Sequence, residues 1–299
     1  MPWRNLGMKF ARACHHVRLV AIGLLVAVLS GCAGETLLLP LNWGEPAAQV
    51  ITTTDLAYGG DVRQTLDIYR PQGVQQAPVM VFWYGGSWQQ GSKGYYQFVG
   101  RSLARRGFVT ILPDYRLAPD HTFPAFVQDA ASAVRWTRDH AEEFGGDPSR
   151  IYISGHSAGG HNALMLALDS QYLDTVGLTP SDLAGVVSLA GPTGLENLRR
   201  EALKGVFPRA IPDDAFSPVA LAARHSETAP PILLMIGLDD DVIHASSVAR
   251  LADAIRAGRG SVTVKAYPGI GHIGLMLGFA APFEGTSQVA DDLARFAGL

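Results

Sequence analysis

Apolar residues along this chain gather in short, nearly unbroken runs, each followed by a longer stretch with helical spacing. Residues 78–84 (PVMVFWY), 183–190 and 231–236 (PILLMI) each read as a buried strand, the first with no polar face at all, and 108–112 reads as a further strand. Residues 94–106, 123–144, 158–168 and 245–257 read as the intervening helices. Gly107 would cap the first and Pro124 suits the first turn of the second. Residues 49–58 and 62–69 flank Gly59-Gly60-Asp61 and predict a hairpin, with Val62, Leu66 and Ile68 on one face. Residues 261–267 alternate like a strand, and 287–296 form a last amphipathic helix. Residues 191–230 lack a clear period and are expected to pack over the strand ends, forming part of a pocket. Strands alternating with helices from residue 78 onward predict an α/β fold. Its sheet is twisted and mainly parallel, with helices on both faces and reactive groups at the carboxyl ends of the strands.

One junction concentrates candidate chemistry. Residues 151–153 (IYI) run into Gly155-His156-Ser157-Ala158-Gly159-Gly160 and then into an apolar helix. This is the G-x-S-x-G pattern in the strand–turn–helix setting that lifts a serine hydroxyl out of a sheet. The flanking glycines permit strand and helix to pass closely. A hydroxyl needs a base to take its proton and a carboxylate to orient that base, in the chain order serine, acid, histidine. His272, in a glycine-rich loop past the last strand, fits the base. His156 and His161 precede the acid, His121 lies far upstream, and His225 and His244 are poorly placed. Asp239, Asp240 and Asp241 follow the strand 231–236. Asp240 is taken as the orienting acid with Asp239 as the alternative, the others capping the turn or the next helix. Tyr84-Gly85-Gly86-Ser87-Trp88 follows a central strand and offers backbone amides for an oxyanion. Asp114 and Arg116 read as a structural ion pair fixing their loop, and Asp147 as a turn residue.

In this order the motifs resemble the α/β-hydrolase esterases of the hormone-sensitive-lipase-like, isoprenylcysteine-methylesterase and kynurenine-formamidase-like branch. Leu66-Asp67-Ile68-Tyr69, Asp114-Tyr115-Arg116-Leu117-Ala118-Pro119, Phe123-Pro124 and Gly145-Gly146-Asp147-Pro148 carry the resemblance beside the motifs above. It implies Ser157 as nucleophile, Asp240 as orienting acid (three residues after Gly237) and His272 as base. It also implies an oxyanion hole of the Gly86, Ser87 and Ala158 amides. Tyr84 and Ser87 depart from the family's His-Gly-Gly-Gly, so Ser87 could narrow the site or add a donor. The expected activity is hydrolysis of small carboxylic esters with short to medium acyl groups, without cofactor or metal. An amidase of arylformamidase type and a non-enzymatic envelope protein on the same scaffold are the alternatives. Only residues 33–48 lie between Cys32 and the first strand, which leaves no room for the helical cap of hormone-sensitive-lipase relatives and argues against a long-chain lipase and for a more open pocket.

Composition adds an address. The 299 residues carry a formal charge of −3. Arg4, Lys9, Arg12 and Arg18 stand without acidic partners before an apolar run at 19–29, and the rest of the chain is acidic. Eleven helical residues span about 16 Å, too short to cross a bilayer, so residues 1–31 read as a signal peptide. Leu29-Ser30-Gly31-Cys32 resembles a bacterial lipobox. It implies lipidation at Cys32, a tether over 32–48 and a catalytic domain over 49–299. Ala33 implies sorting to the outer membrane. Cys14 and Cys32 are the only cysteines and build no disulfide framework. No basic patch points to nucleic acid.

Overall fold

The computed structural model describes residues 35–44, 49–283, 285 and 287–299; the expected signal peptide and Cys32 lie outside the described residues. The strands are β1 (Val50–Ala57), β2 (Thr65–Pro71), β3 (Ala77–Trp83), β4 (Val109–Pro113), β5 (Gly146–His156), β6 (Gly185–Leu189), β7 (Ile232–Gly237) and β8 (Val262–Tyr267). They form one eight-stranded sheet in the order β1-β2-β4-β3-β5-β6-β7-β8. β1 and β2 form the expected antiparallel hairpin, β2 runs antiparallel to β4, and every pair from β4 to β8 is parallel. Every residue of β3 and β7 is buried. Successive strand residues point to opposite faces, so both faces of the sheet are covered. The helix Val289–Phe296 packs against Gln97–Arg105, and Ala125–His140 packs against Ala158–Leu168.

Most helix boundaries follow the sequence pattern, with tighter ends. The helix over 94–106 begins as a 3₁₀ turn, Lys93–Tyr96, before Gln97–Arg105. The helix over 123–144 is α-helical at Ala125–His140 and tightens to 3₁₀ at Ala141–Phe144, where Gly145 ends it at φ 81°. Val62 does not share the core face with Leu66 and Ile68. It sits in the hairpin turn, 92% exposed, while the other two are fully buried.

Residues 35–44 depart from the expected irregular tether. They form a 3₁₀ helix, Glu35–Gly44, with Leu38 and Leu41 buried. Residues three apart eclipse in a 3₁₀ helix, so this spacing aims both leucines at the core. Asn42 fastens the segment: its amide donates to the Gly94 carbonyl (3.0 Å) and its oxygen accepts from Phe98 N–H (2.9 Å). Asp114 and Arg116 also differ from expectation, each taking a partner elsewhere. Arg116 forks onto the buried Asp129 (2.6 and 3.0 Å), and Asp114 accepts from Lys93 N–H (2.8 Å) and faces Arg63 at 3.6 Å.

Candidate active site

The loops after β3, β5, β7 and β8 meet at the carboxyl edge of the sheet. β5 lies between β3 and β6, so its end sits mid-sheet. There Ser157 adopts φ 52° and ψ −118°, a conformation that costs a non-glycine residue about 1–3 kcal/mol. Two features hold it. Ser157 N–H donates to the Leu189 carbonyl of β6 (2.8 Å), and the helix Ala158–Leu168 begins at the next residue. The turn also requires its glycines: a Cβ at Gly155 would strike the Gly159 backbone, and one at Gly159 the carbonyls of Trp83 and Tyr84.

The loops after β7 and β8 are stitched together. Leu238 N–H donates to Tyr267 carbonyl (2.9 Å) and Asp239 N–H to Ile270 carbonyl (3.0 Å). Gly237 makes this approach possible, because a Cβ there would collide with the Ile270 carbonyl. The stitch sets Asp240 Oδ2 2.8 Å from His272 Nδ1. Asp240 Oδ1 accepts from the N–H groups of Val242 (2.9 Å) and Ile243 (2.8 Å). Burial of this carboxylate raises its pKa, but the His272 hydrogen bond and charge and the two amides outweigh that and hold it below the ordinary 3.8. Asp239 and Asp241 are exposed. Neither caps the helix Ala245–Ala257, whose N-cap is His244 without a side-chain cap bond. His272, by contrast, keeps its side chain 11% exposed. Among the described residues no hydrogen bond ties the Ser157 hydroxyl to His272 Nε2. Serine–histidine contacts of this kind often tighten only once substrate is bound.

The loop after β3 takes three consecutive left-handed residues, Gly86 (φ 113°), Ser87 (φ 57°) and Trp88 (φ 57°). Gly86 carbonyl accepts from the N–H groups of Gln89 and Gln90, while among the described residues the N–H groups of Gly86 and Ser87 donate to no acceptor. Ala158 is the first residue of its helix, where an N–H has no intrahelical partner and the helix dipole favours negative charge. Trp88 anchors the loop. It is buried among Phe126, His161 and Phe207, and its indole N–H donates to Asn162 Oδ1 (2.9 Å). Tyr84, where the resembled family has histidine, does not face the site. Its ring stacks on Tyr115 at 4.5 Å, and its hydroxyl accepts from Arg63 (2.7 Å).

Two buried histidines complete the surroundings. His161 Nε2 lies 2.9 Å from the Phe216 carbonyl, so that nitrogen carries the proton. His156 contacts Tyr96 and the His272 main chain. Burial pushes their pKa values down, to about 4 for His161 and about 3 for His156, where the nearby His272 charge adds to the effect. Both are therefore neutral. The sequence pattern showed where they stand, but not that they are structural hydrogen-bonding groups. Residues 191–230 pack toward the β3 loop as expected: Phe207 and Phe216 are buried, and Gln89 donates to the Ala202 carbonyl (2.9 Å). Among the described residues no group of His, Cys, Asp or Glu could hold a metal.

Sheet order, elbow and strand-end loops together define an α/β-hydrolase fold of the esterase type. The chain belongs to the BD-FAE family, whose pattern matches residues 66–255. It is similar to an esterase, LipC, of Mycobacterium tuberculosis, with 31% identity over 235 residues, covering 72% of this chain and 58% of that protein. It is also similar to an isoprenylcysteine alpha-carbonyl methylesterase of Arabidopsis thaliana, with 29% identity over 241 residues, covering 74% of this chain and 56% of that protein. The chain thus spans little more than half the length of these curated relatives. Among solved structures, esterase B from Lactobacillus rhamnosis matches with TM-score 0.75 at 18% identity, covering 96% of both chains. A truncated carbohydrate esterase from gut microbiota matches with TM-score 0.72 at 23% identity, covering 85% of this chain and 98% of that one. At these identities the structural matches speak for the fold.

Proposed function

We propose that this protein is a serine carboxylesterase that cleaves small esters through an acyl-enzyme at Ser157. The observation that carries the reading is the 2.8 Å contact between buried Asp240 and His272, whose main chain lies 3.1 Å from His156, the neighbour of a serine held in a strained turn. His272 Nδ1–H donates to Asp240 Oδ2, which leaves Nε2 as the lone-pair nitrogen. Nε2 takes the Ser157 proton as Oγ attacks the ester carbonyl carbon. The carbonyl oxygen becomes an oxyanion, and the N–H groups of Gly86, Ser87 and Ala158 receive it. Since these donors are backbone groups, serine in place of glycine at 87 leaves the donor in place. Losing one such donor costs roughly 3–4 kcal/mol of transition-state stabilisation. Collapse expels the alcohol, which takes the proton from Nε2. Water, deprotonated by the same nitrogen, then releases the acid.

Replacing Ser157 with alanine and running a p-nitrophenyl ester series from acetate to decanoate tests this. The account expects rates highest at short to medium chains and an alanine variant reduced by at least about 10⁴-fold. A variant at the wild-type rate contradicts it. N-formylkynurenine run in parallel reports on amide cleavage; a faster turnover there than with butyrate would replace the ester assignment.

The basic start, short apolar run and Leu29-Ser30-Gly31-Cys32 support lipidation at Cys32 and an outer-membrane address facing the periplasm or the exterior. More than one acyl chain is needed for stable anchoring. In a bacterial host, radiolabelled palmitate should label the wild type and not Cys32→Ser. Equal labelling, or an unlabelled wild type, counts against the anchor.

A further inference from the structure

His156 occupies the variable position of the elbow, one residue before Ser157, and is fully buried. Its ring lies 4.7 Å from the His272 ring. Its Nε2 is 3.1 Å from the main-chain oxygen of His272 and its Nδ1 is 3.1 Å from Tyr96 Oη. A carbonyl oxygen only accepts, so Nε2 carries the proton and Nδ1 the lone pair. Tyr96 therefore donates to Nδ1, and its own oxygen accepts from Gly85 N–H at 3.3 Å. Phe82, Tyr84 and Phe98 surround the Tyr96 ring at 5.9 to 6.1 Å. The chain of donors runs from the loop after β3, through Tyr96 and His156, to the backbone of His272.

We propose that His156 is a positioning residue for His272, gripping its main-chain carbonyl while Asp240 grips its ring, with Tyr96 locking the His156 tautomer that makes this grip possible. The inference rests on the reading of His272 as general base. Asp240 fixes one ring nitrogen and the stitch holds the loop after β8 at Tyr267 and Ile270, while the main chain of His272 itself is held by His156. The second grip comes from the turn that carries the nucleophile, so base and serine are referenced to the same element. The chemistry also favours a neutral residue here. His272 gains a positive charge during each half-reaction, and a cation 4.7 Å away would oppose it. With its pKa near 3, His156 donates its hydrogen bond without carrying charge.

The test compares kcat and KM on p-nitrophenyl butyrate for His156→Leu, His156→Asn, His156→Gln and Tyr96→Phe, each with its melting temperature. Glutamine can extend an amide N–H to where Nε2–H lies; asparagine is too short, and leucine has no donor. A misplacement of about 1 Å can cost about 10²-fold, so the leucine and asparagine variants should lose at least about 30-fold in kcat with KM within about 3-fold. Glutamine should recover to within about 5-fold of wild type, and Tyr96→Phe, which frees the tautomer, should lose about 5-fold in kcat. If leucine does not fold, the glutamine and phenylalanine variants decide. The inference is overturned if asparagine and glutamine behave alike, if folded leucine keeps the wild-type kcat, or if Tyr96→Phe keeps it. Ser157→Ala, assayed alongside, separates the two failures. An inactive alanine variant with indifferent His156 variants sinks only the positioning role, whereas an active one sinks the hydrolase reading itself.

Discussion

Asp240 shows how much rests on a single buried carboxylate. Its side chain has no exposed surface, and three donors satisfy it: His272 Nδ1 and the amides of Val242 and Ile243. Asparagine keeps the shape but offers an N–H where an acceptor is needed, or else turns His272 into the wrong tautomer. Asp240→Asn should lower kcat by roughly 10⁴-fold with little change in KM, by steady-state kinetics on p-nitrophenyl butyrate. Loss of less than about tenfold would show that the carboxylate does not orient the base. Ser157 and His272 stand out as candidates in the sequence because their neighbours are unusual: small residues in a turn and glycines in a loop. Asp240 stands out less, since three adjacent aspartates look alike in one dimension. What separates them is burial, produced by a loop crossing between Gly237 and Ile270 that no local pattern displays. The positive φ at Ser87 and Trp88 was likewise invisible, because neither residue advertises a left-handed backbone.

The elbow is the element whose geometry the other parts depend on, and its tolerance is small. Gly159 lies against the carbonyls of Trp83 and Tyr84, so the helix Ala158–Leu168 packs onto the end of β3 with no room for a methyl group. Backbone cannot swing aside as a flexible side chain can. Gly159→Ala should therefore cost about 3 kcal/mol or more, read as a fall in melting temperature or as insoluble protein. A stable, fully active variant would show that helix and strand are not in contact there. Strands and helices read well from their patterns because apolar runs and helical spacing report burial directly. The 3₁₀ helix Glu35–Gly44 is not legible in the sequence, for a physical reason. A ten-residue segment containing Pro40 has too few turns to display a helical period, and its Leu38–Leu41 spacing of three fits a face of either an α-helix or a 3₁₀ helix, so it singles out neither. The partners of Asp114 and Arg116 do not show in the sequence around them, because Arg63 and Asp129 come from other parts of the chain.

Across the whole molecule the two neutral, fully buried histidines set a limit on acid stability. Their folded pKa values, about 3 for His156 and about 4 for His161, lie below the ordinary 6.5. Below pH 6.5 the unfolded chain takes up protons that the folded chain refuses, so stability is complete above that pH and declines toward pH 4 and below. Each such site contributes up to about 1.4 kcal/mol per pH unit, so urea unfolding at pH 7 and pH 5 should differ by roughly 2–4 kcal/mol. Asp240, held below 3.8, stays ionised through this window and adds its own loss only at lower pH. Equal stability at pH 7 and pH 5 would mean that the histidines are not shut away from water.

The claim on which the account turns is that Ser157 itself carries the acyl group. Intact-mass and peptide mass spectrometry after brief exposure to a fluorophosphonate measures this most directly. The account predicts one adduct, on the peptide containing Ser157, forming together with loss of esterase activity and absent from Ser157→Ala. An inactivated enzyme bearing its adduct on another residue, or an alanine variant that is still labelled and still active, would contradict it.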